Sequence, residues 1–112
     1  MLGARELSLL PSDAIVINAS RGGVVDEAAL LAAVKSGHVH GAGLDTFELE
    51  PPPSDSPLFS EPRIVLSPHT AAMTETSLAA MSVMTAKNAL AGLDGTLDPE
   101  LVVNRTVLTR RS

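Results

Sequence analysis

The sequence predicts an α/β fold: a short parallel sheet flanked by helices, followed by a long C-terminal helix. Three observations carry this. Apolar runs of strand length recur at 14–18, 39–44 and 63–67. A helical pattern lies between the first two and a long connection between the last two, an alternation typical of parallel sheets. Each run also delivers a charged side chain just past its end: Arg21 after the first, Asp45 and then Glu50 after the second, His69 after the third. In an open parallel sheet, the crevice beyond the carboxyl ends of the strands is where ligands bind.

The elements follow in order. Residues 3–10 read as the tail of a helix, with Leu7, Leu9 and Leu10 apolar, and Pro11-Ser12-Asp13 as a turn. Residues 14–18 are almost continuously apolar and β-branched, which implies a strand buried on both faces. Arg21-Gly22-Gly23 forms a sharp turn whose glycines allow positive φ and close approach. Asp26 caps the next helix, Glu27 suits its first turn, and Leu30, Ala33 and Val34 share its apolar face. Gly37 stops it. Residues 39–44 form the second strand, where Gly41 and Gly43 imply close approach of another backbone or a ligand. Residues 48–62 contain five of the eight prolines and read as an irregular loop without helix or strand. After the third strand, Thr74 caps a helix running to about Leu93. Leu78, Met81, Val83, Met84, Leu90 and several alanines make it apolar nearly all round, which implies burial or packing on a partner. Three strands leave two edges uncovered, so the sequence reads as part of something larger.

Composition narrows the function. The chain has 112 residues, 45% of them hydrophobic, enough for one domain. Phe47 and Phe59 are its only aromatic residues, so the core must be aliphatic. A net charge of −5 disfavours nucleic acid as a partner. Arg105, Arg110 and Arg111, in the last eight residues, read as a solvated tail. With no cysteine there is no disulfide framework, thiolate nucleophile or zinc–thiolate site, and no metal is expected. No apolar run approaches the ~20 residues of a membrane span. The N-terminus carries no signal-peptide pattern, so a cytoplasmic protein without membrane partners is the expectation.

The charged residues at the strand ends differ usefully in role. His69 can exchange a proton near neutral pH. A carboxylate on its other ring nitrogen would fix the tautomer, and Glu50, stiffened by Pro51, Pro52 and Pro53, is the candidate. Arg21 can hold a carboxylate through two parallel hydrogen bonds. Together they suit a 2-keto or 2-hydroxy acid, with the hydride going to a cofactor because no side chain carries one. Each also has a plainer reading: Arg21 as a solvated turn residue, Glu50 as a surface loop acid, Asp45 as a turn former. His38 and His40 read as exposed.

Three linked motifs sharpen this. They are Ile17-Asn18-Ala19-Ser20-Arg21-Gly22-Gly23-Val24-Val25-Asp26, Gly43-Leu44-Asp45-Thr46-Phe47 with Glu50-Pro51, and Leu66-Ser67-Pro68-His69-Thr70-Ala71. In this order, over about Leu2 to Asn104, the chain closely resembles the C-terminal half of the NAD-binding domain of D-isomer-specific 2-hydroxyacid dehydrogenases. The resemblance implies a partial Rossmann-type domain over 1–93 with a tail over 94–112. It implies an oxidoreductase moving a hydride between nicotinamide and a D-2-hydroxy or 2-keto acid. Arg21 would bind the substrate carboxylate and carbonyl, and Glu50 would pair with His69, the general acid/base. Ala19, Ser20 and Arg21 would line the nicotinamide side, Asp45 would contact the carboxamide, and His69, Thr70, Ala71 and Ala72 would form the wall beside the ring. NAD is the implied cofactor, with NADP left open. A homo-oligomer, or pairing with a missing N-terminal half, is the implied assembly.

The sequence departs from that family's pattern upstream. It has no Gly-x-Gly-x-x-Gly phosphate turn, since Gly41-Ala42-Gly43 is followed by Thr46 and lies inside a strand. It reads as a fragment that by itself binds NAD poorly and turns over little or nothing. The alternative is a non-catalytic remnant serving as an interaction module. A formate dehydrogenase relative is disfavoured by Glu50, where that branch would carry Gln.

Overall fold

The computed structural model describes residues 1–107. They separate into two compact units, with the boundary between Ala72 and Met73.

The first unit is built on three parallel strands, β1 (Ile15–Asn18), β2 (Gly41–Leu44) and β3 (Ile64–Leu66), in the order β1-β2-β3. Ile17 is level with Gly43, and Gly43 with Val65. A short helix α1 (Ala4–Leu7) packs on α2 (Glu27–Lys35), and α2 packs on β2. Helix α2 begins as its sequence requires, with the Asp26 side chain accepting from the Ala29 amide at 2.8 Å. It ends at Gly37, whose φ of 77° few other residues adopt. Leu7, Leu30, Val34, Val39 and Leu44 are almost fully enclosed, so the core is aliphatic as composition demanded except for Phe47, which joins it.

The expectation of a strand buried on both faces is overturned. Successive strand side chains point to opposite faces. Val16 and Asn18 are buried beneath the helices, whereas Ile15 and Ile17 are 62% and 74% exposed, and Val65 on the same face is 71% exposed. The helices of this unit cover one face only. The glycines of β2 do accommodate close backbone: a Cβ on Gly41 would lie 2.8 Å from the Arg63 carbonyl oxygen. The proline-rich stretch also departs from expectation, because it contains a 3₁₀ turn, Pro57–Ser60, that buries Leu58. Pro57 opens that turn, where its missing N–H has no bond to forfeit.

The second unit carries α3 (Glu75–Leu93). Thr74 and Ser77 cap it reciprocally, each side chain accepting from the other's amide at 3.1 and 3.2 Å. The burial expected from its apolar composition is not observed, since no α3 residue is buried. The helix rests instead on its cap and on the high helix propensity of its alanines, leucines and methionines. Arg105 is not a free tail residue: its guanidinium pairs with both carboxylate oxygens of Glu100 at 2.9 and 2.8 Å. Arg110 and Arg111 lie outside the described residues. Among the described residues no helix is long and apolar enough to cross a membrane.

Candidate active site

The carboxyl ends of the three strands supply every polar group of the site. At the end of β1, the buried Asn18 accepts from the Ser20 amide (3.2 Å) and hydroxyl (2.9 Å) and donates to the Arg21 carbonyl (2.9 Å). That fixes the turn carrying Arg21. The Arg21 side chain is exposed and donates to the Ser20 carbonyl at 2.7 Å. Its neighbour Gly22 packs directly on the next loop, since a Cβ there would lie 1.9 Å from the Phe47 carbonyl oxygen.

At the end of β2, the Asp45 amide continues the sheet ladder by donating to the Asn18 carbonyl at 2.9 Å. The loop then folds back over the start of α2, where the Glu48 amide donates to the Glu27 carboxylate at 2.6 Å. Phe47 is buried and anchors the loop. Its amide donates to Oε1 of Glu50 at 3.0 Å, which leaves Oε2 aimed at Nδ1 of His69, 2.8 Å away.

At the end of β3, the Ser67 amide donates to the Leu44 carbonyl at 2.9 Å, and its hydroxyl donates to Oδ1 of Asp45. The Thr70 and Ala71 amides donate to the same carboxylate at 2.9 and 2.8 Å. Between Ser67 and Thr70, His69 takes a left-handed backbone, φ 54°, the one described non-glycine residue to do so.

These contacts set the charge states. The bond from His69 holds the Glu50 carboxyl below the usual carboxylate range, helped by the Phe47 amide and the nearby positive charge of Arg21. The Ser67 hydroxyl does most to lower Asp45, followed by the Ala71 amide, while burial opposes both. Both acids are therefore ionised at neutral pH. With Nδ1 committed to Glu50, Nε2 of His69 is left to take or give a proton.

The structure thus joins Glu50 to His69 and ties Asp45 to the segment 67–71. It leaves Arg21 without an ion pair among the described residues, although close enough to influence Glu50. A groove of about 180 Å³ opens beside them, walled by Ala19, Asp45 and Ala71 over an apolar floor of Ile17, Gly43 and Val65. A larger apolar hollow of about 350 Å³ lies by Phe47, Phe59 and Pro68 and holds no ionisable group. Of the residues expected along the cofactor, Ser20, Arg21, His69, Thr70 and Ala72 lie outside the groove lining; Glu50 and His69 line a separate hollow of about 160 Å³ with Phe47, Pro51, Pro52 and Pro68. His38 and His40 are exposed, as expected. Among the described residues no cluster of acids and histidines could hold a metal. Sequence reasoning did not single out Asn18 or Ser67 as site residues. The available signal was a polar residue closing an apolar strand next to a functional turn.

The donor set fits the nicotinamide end of a dinucleotide. A carboxylate offers about four acceptor positions. Asp45 uses three of them, so one remains for a carboxamide N–H beside the apolar side chains of the groove. A phosphate cradle of the Gly-x-Gly-x-x-Gly kind is absent from the sequence, and Gly41-Ala42-Gly43 forms the strand β2 itself.

Three parallel strands with a carboxylate–imidazole pair and a buried aspartate at their carboxyl ends define an α/β unit with its polar groups gathered at one rim. The chain belongs to the D-isomer specific 2-hydroxyacid dehydrogenase family, whose NAD binding domain profile matches residues 1–71. That match is nearly coextensive with the first compact unit. The chain is 43% identical over 102 residues to glyoxylate/hydroxypyruvate reductase B of Escherichia fergusonii, covering 91% of this chain and 32% of that protein. Among solved structures it resembles a D-isomer specific 2-hydroxyacid dehydrogenase from Xanthobacter autotrophicus Py2, with TM-score 0.70 and 41% identity over 84% of this chain and 31% of the other. It also resembles the NADPH-dependent glyoxylate/hydroxypyruvate reductase of Sinorhizobium meliloti in complex with NADP and malonate, with TM-score 0.71 and 41% identity over 80% and 28% of the two chains. The chain spans about a third of the length of the curated relatives it matches.

Proposed function

We propose that this chain supplies the acid–base half of an NAD(P)-dependent reductase acting on small 2-keto acids, and on 2-hydroxy acids in the reverse direction. The observation that carries the reading is the 2.8 Å contact between His69 Nδ1 and Glu50 Oε2 beside the groove walled by Asp45. Arg21 swings from the Ser20 carbonyl to hold the substrate carboxylate in a two-pronged ion pair. When bound, a reduced nicotinamide would supply the hydride taken up at C2. His69 gives its Nε2 proton to the carbonyl oxygen, and the Glu50 carboxylate stabilises the imidazolium before that transfer. Asp45 would hold the carboxamide of the nicotinamide, and Ala19 and Ala71 would line its site. Relatives named for glyoxylate and hydroxypyruvate support small acids as the substrate class.

The test uses the isotope-labelled chain in solution. NADH should shift the amide signals of Ala19, Asp45 and Ala71, and glyoxylate added afterwards should shift Arg21 and His69. Arg21→Gln should remove the second response and keep the first. A binding module without turnover is the second reading, favoured by the exposed face of Ile15, Ile17 and Val65. It requires that neither ligand move any of these signals, and that result would overturn the reductase proposal.

A further inference from the structure

His69 is held in a left-handed backbone region, φ 54°, that residues with a Cβ rarely adopt. Such a conformation persists only where its surroundings over-determine it. Here the restraint comes from one carboxylate. Asp45 receives the amides of the two residues that follow His69, Thr70 and Ala71, and the hydroxyl of the residue two before it, Ser67. The chain is therefore gripped on both sides of the imidazole, and Pro68 stiffens the link between. Asp45 is buried, so its orientation matters: if the carboxylate turned, its two part-buried bonds from the Thr70 and Ala71 amides would go with it. At Oδ1 the Thr70 amide is joined by the Ser67 hydroxyl, the one donor to Asp45 from the strand side of His69, which is anchored by its own amide on the Leu44 carbonyl at 2.9 Å.

We infer that Ser67 is a positioning residue for His69: its hydroxyl locks the Asp45 carboxylate, which holds the 70–71 backbone and so aims the imidazole at Glu50. Ser67 touches no substrate in this account and acts through Asp45. The functional meaning rests on the reductase reading, since only there does aiming the imidazole matter. The clamp itself is measurable without turnover.

The experiment follows the side-chain carboxyl carbons of Asp45 and Glu50, and the amides of Thr70 and Ala71, as pH is lowered on the labelled 112-residue chain. In the unaltered chain the Thr70 and Ala71 amides should titrate with the Asp45 midpoint. If they do not, the clamp is refuted whatever any variant does. Ser67→Ala should raise the Asp45 midpoint, move both amides upfield, and also raise the Glu50 midpoint, because a misaimed His69 no longer bonds it. Ser67→Thr keeps a hydroxyl at the same place and should restore all three. Should Ser67→Ala shift Asp45 while Glu50 titrates as before, Ser67 serves Asp45 alone and the positioning role is overturned. Loss of NADH-induced shifts in the unaltered chain would instead strike the reductase reading and leave these titrations intact.

Discussion

Gly22 and Phe47 are in backbone contact so close that a Cβ on the glycine would stand 1.9 Å from the Phe47 carbonyl oxygen and 2.4 Å from its carbon. This is the joint through which the turn bearing Arg21 meets the loop bearing Glu50. No side chain can yield there, because the obstacle is backbone. Gly22→Ala should therefore destabilise the first unit by about 1–3 kcal/mol through overpacking. It should also weaken the response of Arg21 to glyoxylate by forcing the two loops apart. Gly23 is the control. Nothing lies within 4 Å of a Cβ there, and its demand is only a φ of 75°. Gly23→Asn, a residue that tolerates the left-handed region, should cost less than Gly23→Ala. Urea unfolding of the four chains checks the order.

Stability should fall on acidification, and the carboxylates predict where. Asp45, Glu50 and Glu61 all hold their protons less tightly folded than unfolded; Glu61 does so chiefly through its 3.0 Å bond from Arg63 Nε. Between the folded and unfolded values the unfolded chain binds more protons, so stability rises with pH there. The contribution is complete above the ordinary carboxylate range and is lost as pH drops through the lowered values, below about pH 4. Urea midpoints should be flat from neutrality to about pH 5 and then decline. Asp45→Asn should start lower at neutral pH and decline less steeply. A variant with the same slope as the unaltered chain would remove Asp45 from this linkage.

The imidazole carries the chemistry in the proposed reaction, so its removal should be felt in rate more than in binding. In a full-length enzyme assembled around this segment, His69→Gln should lower NADH-dependent reduction of glyoxylate by about 10²–10⁴-fold, the usual worth of a general acid–base group. Glu50→Gln should cost rate as well and change its pH dependence, because a neutral amide no longer stabilises the imidazolium. Neither change should much alter the NADH-induced shifts at Ala19 and Ala71, which do not involve the pair. Steady-state kinetics across pH, set beside the binding spectra, separates the two effects.

Much of this site was legible in the sequence because strand order and strand ends are written in local patterns. Asp26 and Gly37 bound α2, and the apolar runs fixed β1, β2 and β3 to within two residues. Once those were parallel neighbours, the Arg21, Asp45, Glu50 and His69 segments had to meet at one rim. Other features were not legible, for physical reasons. Which face of β1 is covered depends on where α1 and α2 pack, and a run such as Ala14–Ile17 is apolar whether one face or both are covered. The 3₁₀ turn at Pro57–Ser60 hides in a stretch whose prolines argue against any regular element, although one proline can open such a turn. The Ser67–Asp45 contact joins residues 22 apart and is set by tertiary register alone, so no local spacing announces it.

Beside Asp45 sits a polar group that the fold leaves unanswered. Thr46 is fully buried, and its hydroxyl has no hydrogen-bond partner among the described residues. Burying an unpaired hydroxyl costs about 1–3 kcal/mol relative to an apolar group of the same shape. Valine has that shape and the same β-branching, so the strand-end backbone should accept it unchanged. Thr46→Val should therefore stabilise the first unit by about 1 kcal/mol. In a chain of this size that amounts to a rise of about 3–6 °C in Tm. Thr46→Ser keeps the hydroxyl, deletes a methyl group from a packed interior, and should lower Tm instead. Thermal denaturation of the three chains side by side settles the direction. A drop in Tm for Thr46→Val would mean that the hydroxyl is satisfied in solution, and the Glu50 and Asp45 titrations, unmoved if Thr46 is only a packing residue, would show whether that bond belongs to the site.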